Sequence, residues 1–177
     1  MMEKQIHSES DIPKWKRSPA YHLLCSFYSA LSEDLANLGL PNNTSNDSGL
    51  EKIIPGVITQ QLISLFEKLV NLITKFPCVS DSRFGNRAFR DWHAAASVEI
   101  STFAALLTTQ FPPSLSPSLL EKLGIQLESD ELTAILSLYL IESLGNATRI
   151  DYGTGHEMNF VIFLLIISTI YTDNSLH

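Results

Sequence analysis

Residues 129–157 read SDELTAILSLYLIESLGNATRIDYGTGHE, and their pattern decides the fold class. Leu132, Ile135, Leu136, Tyr139, Leu140 and Ile141 fall at the three- and four-residue separations that stack side chains along an α-helix. They leave it apolar on most sides, so the helix is expected to be central, with neighbours on more than one flank. Ser129 supplies a capping hydroxyl for a helix over 130–144, and Gly145–Asn146 closes it. A second helix is expected to begin near Gly155 or His156 and to carry the apolar run Phe160–Ile167, followed by Ile170 and Tyr171. Its apolar surface is nearly continuous and needs partners to bury it.

The same period extends towards the N-terminus. Ser18–Pro19 pairs a capping residue with a proline suited to the first helical position. Leu23, Leu24, Phe27, Tyr28, Leu31, Leu35 and Leu38 then mark one apolar face, up to Gly39 and Pro41. PNNTSNDSG, residues 41–49, is composed of turn formers and reads as a surface loop. Pro55 opens another helix with Ile58, Leu62, Leu65, Phe66, Leu69, Ile73 and Phe76 on one face, ending before Pro77. A third runs over about 86–109 with Phe89, Trp92, Ala96, Ile100, Phe103 and Leu107, and Pro112, Pro113 and Pro117 end it. Ser116–Pro117 is expected to cap a short helix reaching Leu123. No stretch alternates with the period of a strand, and no fixed-length repeat is visible. The fold class is all-α.

Composition bounds the function. With 177 residues, 45% hydrophobic and 18% charged, the chain suits a globular domain. Twelve basic against 19 acidic residues give a formal charge of −7, which repels a phosphate backbone and argues against nucleic acid as a partner. Cys25 and Cys78 are far apart and form neither a disulfide framework nor a zinc spacing, so they read as buried thiols in a reducing cytosol. Residues 1–16 are polar and irregular, without the apolar core of a secretory signal. The run from Phe160 falls short of the roughly 20 residues a membrane-spanning helix needs, so no membrane role is expected.

Two loop-to-helix junctions concentrate functional side chains. Ser82–His93 reads SRFGNRAFRDWH, and Gly145–Glu157 reads GNATRIDYGTGHE. In the second, Gly153 and Gly155 permit backbone angles closed to other residues, Thr154 offers a hydroxyl, and the amides of a new helix start suit an anion. Arg149 adds a fork of donors matched to phosphate oxygens. The alternative is a glycine turn between two buried helices, with Arg149 and Asp151 paired across it. It is neither a Walker loop nor a dinucleotide fingerprint, and Phe160 stands where a zinc protease would need its second histidine, so no metal ligands are assigned. No nucleophile elbow is present. Glu157 suits the helix dipole, and His156 is expected to bond to Asp151 or Tyr152. In the first junction Arg83, Arg87 and Arg90 read as a solvated or salt-bridged face with Asp91 as a partner. Phe84, Phe89 and Trp92 read as core; exposed beside the turn, they would make an apolar slot for a proline ring.

Taken together, the two junctions resemble the phosphotyrosyl phosphatase activator family, in which a segment like Arg83–Trp92 precedes one like Gly145–Glu157. The likeness extends more loosely over Trp15–Leu38 and 130–144. It implies an all-α fold of core, linker and lid, with residues 1–16 a flexible segment and 17–177 a partial activator domain. It also implies binding of the protein phosphatase 2A catalytic subunit together with ATP and magnesium, and peptidyl-prolyl cis-trans isomerase activity on a proline-containing peptide. By position in the motif, Arg149, Thr154 and Gly155 are expected to contact nucleotide phosphates, while Asp151 and Tyr152 shape the cleft for peptide or phosphatase. A homodimer and a cytoplasmic, also nuclear, location are carried as expectations. The family continues beyond the glycine-turn helix into a Gly/Trp/Asp-rich segment expected to complete the nucleotide and magnesium site, whereas this sequence stops at His177. A truncated, weakened product and a non-catalytic phosphatase-binding module therefore stand as the alternatives to an active isomerase.

Overall fold

The computed structural model describes residues 6–38, 56–78, 86–111 and 128–171. The chain falls into two compact units, Met1–Ile53 and Ile54–His177. Pro55, the segment from Arg83 to Gly85, the 41–49 loop and the short helix expected at 116–123 lie outside the described residues.

In the first unit, residues 9–16 are helical where the sequence reads as irregular. A 3-10 turn, Glu9–Asp11, leads into α1, Ile12–Lys16. The reason is a local polar exchange: the Asp11 carboxylate accepts from the Ser8 and His7 amides, both at 3.1 Å, which satisfies donors that a helix start leaves unpaired. Helix α2, Pro19–Leu38, starts where expected, with Ser18 Oγ accepting from the Tyr21 amide at 3.1 Å.

Among the described residues of the second unit there are four helices: α3 (Val57–Lys75), α4 (Ala88–Gln110), α5 (Ser129–Glu142) and α6 (Thr154–Ile170). Each packs on the next in sequence, so α5 lies between α4 and α6, the central place its all-round apolar pattern predicts. Their shared core holds Leu65, Leu69 and Leu72 of α3, Ala96, Ile100, Phe103, Ala104 and Leu107 of α4, Leu132, Leu136 and Leu140 of α5, and Phe163, Ile170 and Tyr171 at the end. Polar links cross the interfaces: Trp92 Nε1 donates to the Leu69 carbonyl at 3.2 Å, and the Thr108 and Thr133 hydroxyls meet at 2.7 Å. Phe66 and Phe160, with ring centroids 6.1 Å apart, bring α3 and α6 into contact. Among the described residues there is no strand, and the fold is all-α.

Three expected placements are corrected. Cys25 and Cys78, expected to be buried, are both exposed, because Cys25 lies off the half-buried line of Tyr21, Leu24, Phe27 and Leu31 and Cys78 lies beyond the end of α3. On α2, Leu23, Tyr28 and Leu35 of the expected apolar face are exposed. On α3 the buried stripe is shifted. Phe66 and Ile73, expected in the core, are 36% and 54% exposed, while Leu72 is buried. The buried and half-buried positions 58, 62, 65, 69, 72 and 76 advance in alternating steps of four and three, the regular seam of a packed helix. Phe66 and Ile73 lie on its flank.

Candidate functional site

Between α5 and α6 the chain reverses in a tight loop whose ends are tied by backbone. Asn146 and Asp151 form an isolated antiparallel bridge, the Asn146 amide donating to the Asp151 carbonyl at 2.9 Å and the Ile150 amide to the Asn146 carbonyl at 2.8 Å. The Asn146 side chain adds a bond inside the loop, its Oδ1 accepting from the Arg149 amide at 2.8 Å. Such side-chain acceptance is what favours asparagine in turns.

The conformations needed to close this loop do not fall where the glycines at 153 and 155 suggest. Gly153 is extended, with φ −165 and ψ 179, a backbone open to any residue, and Gly155 lies within α6. The positive φ angles are at Gly145 (107) and Ile150 (55). A Cβ at Gly145 would stand 2.9 Å from the Asp151 carbonyl oxygen, whereas one at Gly153 or Gly155 would meet nothing within 4 Å. Glycine is thus required at 145, while at 153 and 155 it leaves the backbone uncovered at the start of α6.

Of the five residues assigned to the site, Arg149 and Asp151 are paired with each other. Arg149 Nε donates to Asp151 Oδ2 at 2.6 Å and a terminal guanidinium nitrogen to Oδ1 at 3.3 Å. This two-point geometry suits a guanidinium and a carboxylate, and it is the alternative that the sequence left open. The Arg149 hydrogen bond holds the Asp151 carboxyl below its usual range, with the positive charges of Arg149 and His156 acting the same way against partial desolvation. Tyr152 is 60% exposed and stacks on His156, with centroids 5.7 Å apart. His156 bonds through Nδ1 to the Glu142 carbonyl at the end of α5, not to Asp151 or Tyr152 as expected, because the first turn of α6 sets it against α5. Thr154 and Gly155 are exposed in that same turn, with Glu157 as its acidic residue.

Because the carboxyl pKa is lowered in the folded chain, the pair contributes above the unfolded-state value, about 3.9 for aspartate. Its contribution is lost as pH falls through the lower folded value. In Arg149→Ala the Asp151 titration, followed by carboxyl carbon NMR, is expected to move up towards the ordinary range. An unmoved midpoint would show that the pair does not form in solution.

The two junctions, read separately from sequence, meet here. Arg90, from the first turn of α4, donates through Nε to the Ala147 carbonyl at 3.0 Å and through a terminal nitrogen to the Thr148 carbonyl at 2.9 Å, rather than pairing with the adjacent Asp91. Phe89 stacks on Trp92 with centroids 5.7 Å apart, and its Cζ lies 3.4 Å from where a Gly145 Cβ would be. Arg90 was missed as a site residue. The sequence signal for it was the arginine-rich first junction, which composition alone reads as a solvated face.

The donors at this loop fit an anion: a guanidinium, a hydroxyl and the amides at an open helix start. They do not make a metal cage. Among the described residues no three His, Cys, Asp or Glu side chains converge, and Asp151 is committed to Arg149. No helix among the described residues is long and apolar enough to cross a membrane.

Comparison with known proteins places this architecture. The family model described as "Phosphotyrosyl phosphate activator (PTPA) protein" matches residues 2–175. A Candida albicans protein named serine/threonine-protein phosphatase 2A activator 2 is 35% identical over 167 residues, which is 93% of this chain and 38% of the relative. A Drosophila melanogaster serine/threonine-protein phosphatase 2A activator is 32% identical over 162 residues, 91% of this chain and 34% of the relative. The chain therefore spans under two fifths of the length of these relatives. Among solved structures, the crystal structure of the PP2A phosphatase activator Ypa1 PTPA1 aligns with a TM-score of 0.69 at 22% identity, over 99% of this chain and 49% of that one, a likeness of fold. The chain belongs to the phosphotyrosyl phosphatase activator family.

Proposed function

We propose that the 145–157 turn is a recognition surface for the catalytic subunit of protein phosphatase 2A, and that Arg149, Thr154 and Gly155 hold ATP phosphates there. The observation that carries this reading is that one short loop holds the exposed Arg149–Asp151 pair and then, from Gly153, the uncovered start of α6, where Gly153 and Gly155 leave room for close approach. The relatives named as phosphatase 2A activators support the partner. When bound, ATP would bring negative charge and magnesium to a site shared with the phosphatase. Arg149 meets those phosphates by leaving Asp151, which exchanges one charge-assisted pair for another. The cytoplasm, and also the nucleus, is the proposed location.

Prolyl isomerisation is the further activity proposed for this surface. Its barrier of about 20 kcal/mol falls when a twisted amide is bound better than a planar one, without a nucleophile. Asp151 then orients the site, and Tyr152 donates to the amide carbonyl as conjugation is lost. A second reading, a phosphatase-binding module without catalysis, is favoured by the exposure of Tyr152 and Asp151, because an amide held there stays in water.

Capture of the phosphatase catalytic subunit by this chain, with and without magnesium-ATP, tests the proposal. Capture is expected to strengthen with ATP, and Arg149→Ala is expected to cost about tenfold, the scale of a lost hydrogen bond to a charged group. Capture that ignores both ATP and the substitution would remove the nucleotide from this site. Acceleration of proline-peptide isomerisation that survives Asp151→Ala would remove the turn as its active site.

A further inference from the structure

We propose that Arg90 is a positioning residue: from the first turn of α4 it sets the conformation in which residues 146–151 present Arg149, Asp151 and Tyr152. The inference rests on the reading of that turn as the binding surface.

The loop's own hydrogen bonds secure its ends. Asn146 and Asp151 are bridged, the Ile150 amide reaches the Asn146 carbonyl, and the Arg149 amide reaches the Asn146 side chain. The carbonyls in its middle, at Ala147 and Thr148, are held from outside by Arg90, at 3.0 and 2.9 Å. Because both donors belong to one planar group, the two bonds fix consecutive peptide planes together. Arg149 follows directly, so the second of those planes sets where its side chain starts.

Ile150 comes next, at φ 55. A β-branched residue keeps a left-handed backbone only where its surroundings impose it. Arg90 imposes from a fixed base: Phe89 stacks on Trp92, and Trp92 is bonded to the Leu69 carbonyl of α3. The guanidinium is spent on the loop's backbone, so Arg90 acts through the turn and not on the ligand. It is also exposed, which keeps its share of global stability small.

The test uses the full chain, as wild type, Arg90→Ala and Arg90→Lys. Three quantities are read: melting temperature, the Ile150 amide shift with its HN–Hα coupling, and capture of the phosphatase catalytic subunit with magnesium-ATP. Arg90→Ala is expected to melt close to wild type, to lose the left-handed coupling at Ile150, and to bind about five- to tenfold more weakly. Arg90→Lys, whose ammonium lacks the planar fork, is expected to restore part of both. An unchanged Ile150 in Arg90→Ala overturns the proposal, as does a shifted Ile150 with undiminished capture. Loss of folding in both variants would assign Arg90 to the fold instead. If wild type itself captures no phosphatase, the functional reading fails, while the Ile150 measurement still decides whether Arg90 sets the turn.

Discussion

Gly145→Ala is expected to destabilise the chain by about 2–3 kcal/mol, the upper part of the range for a forbidden backbone conformation. At φ +107 the residue lies beyond even the left-handed well that other L-residues sometimes occupy. The added Cβ would stand 2.9 Å from the Asp151 carbonyl oxygen, with Phe89 and Tyr152 atoms at 3.4 Å on other sides. That oxygen cannot simply move aside, because it accepts the Asn146 amide and closes the loop. Either the bridge opens or the backbone strains, and both outcomes also displace Arg149 and Asp151. Urea unfolding measures the loss, with Gly155→Ala as the control. There the Cβ meets nothing within 4 Å, and alanine inside a helix is expected to be neutral or to stabilise by about 0.5–1 kcal/mol. Phosphate binding lost in a fully folded Gly155→Ala would support its proposed contact with the ligand. Equal stability of the two variants would show that the loop is not closed as described.

Gly145 closes α5 with the positive φ expected of a helix-ending glycine, whereas Gly153 and Gly155 do not use the freedom their type offers, and the difference is a matter of what a residue type encodes. Glycine marks where an unusual φ is permitted, not where one is required. The requirement comes from how α5, the loop and α6 meet, which put positive φ at Gly145 and at Ile150, a residue whose type argues against it. Periodicity was more informative, because helix period and burial are coupled locally. It placed α2 to α6 within about two residues of their ends and put α5 in the middle. It failed in choosing between adjacent apolar stripes: on α2 Leu23, Tyr28 and Leu35 are exposed, and on α3 Phe66 and Leu72 are equally hydrophobic candidates, the choice being made by α4. Arg149 and Asp151, two residues apart, were legible as a pair. Arg90 and Thr148 are 58 residues apart, and no local pattern could join them.

Phe163→Ala is expected to cost about 3–5 kcal/mol, as for other buried phenylalanines truncated to alanine, a third or more of the total for many domains. Its side chain is fully buried, and its ring stacks on Phe160, which in turn meets Phe66 of α3. Removing it takes apolar surface out of the core and leaves a space that packed neighbours fill only in part. The same helix offers an internal comparison. Val161 and Leu165 are half-buried, so truncating Val161 to alanine is expected to cost about 1 kcal/mol or less. An equal loss at both positions would mean that α6 is rotated about its axis from the orientation described. The first turn of α6 carries Thr154 and Gly155 and is fastened to α5 by His156, so the proposed site depends on α6 staying folded. Binding by Phe163→Ala should fall in proportion to the unfolded fraction and recover when an excluded osmolyte restores folding. Gly145→Ala should stay impaired under the same treatment, since its defect lies in the shape of the loop and persists when the core is intact.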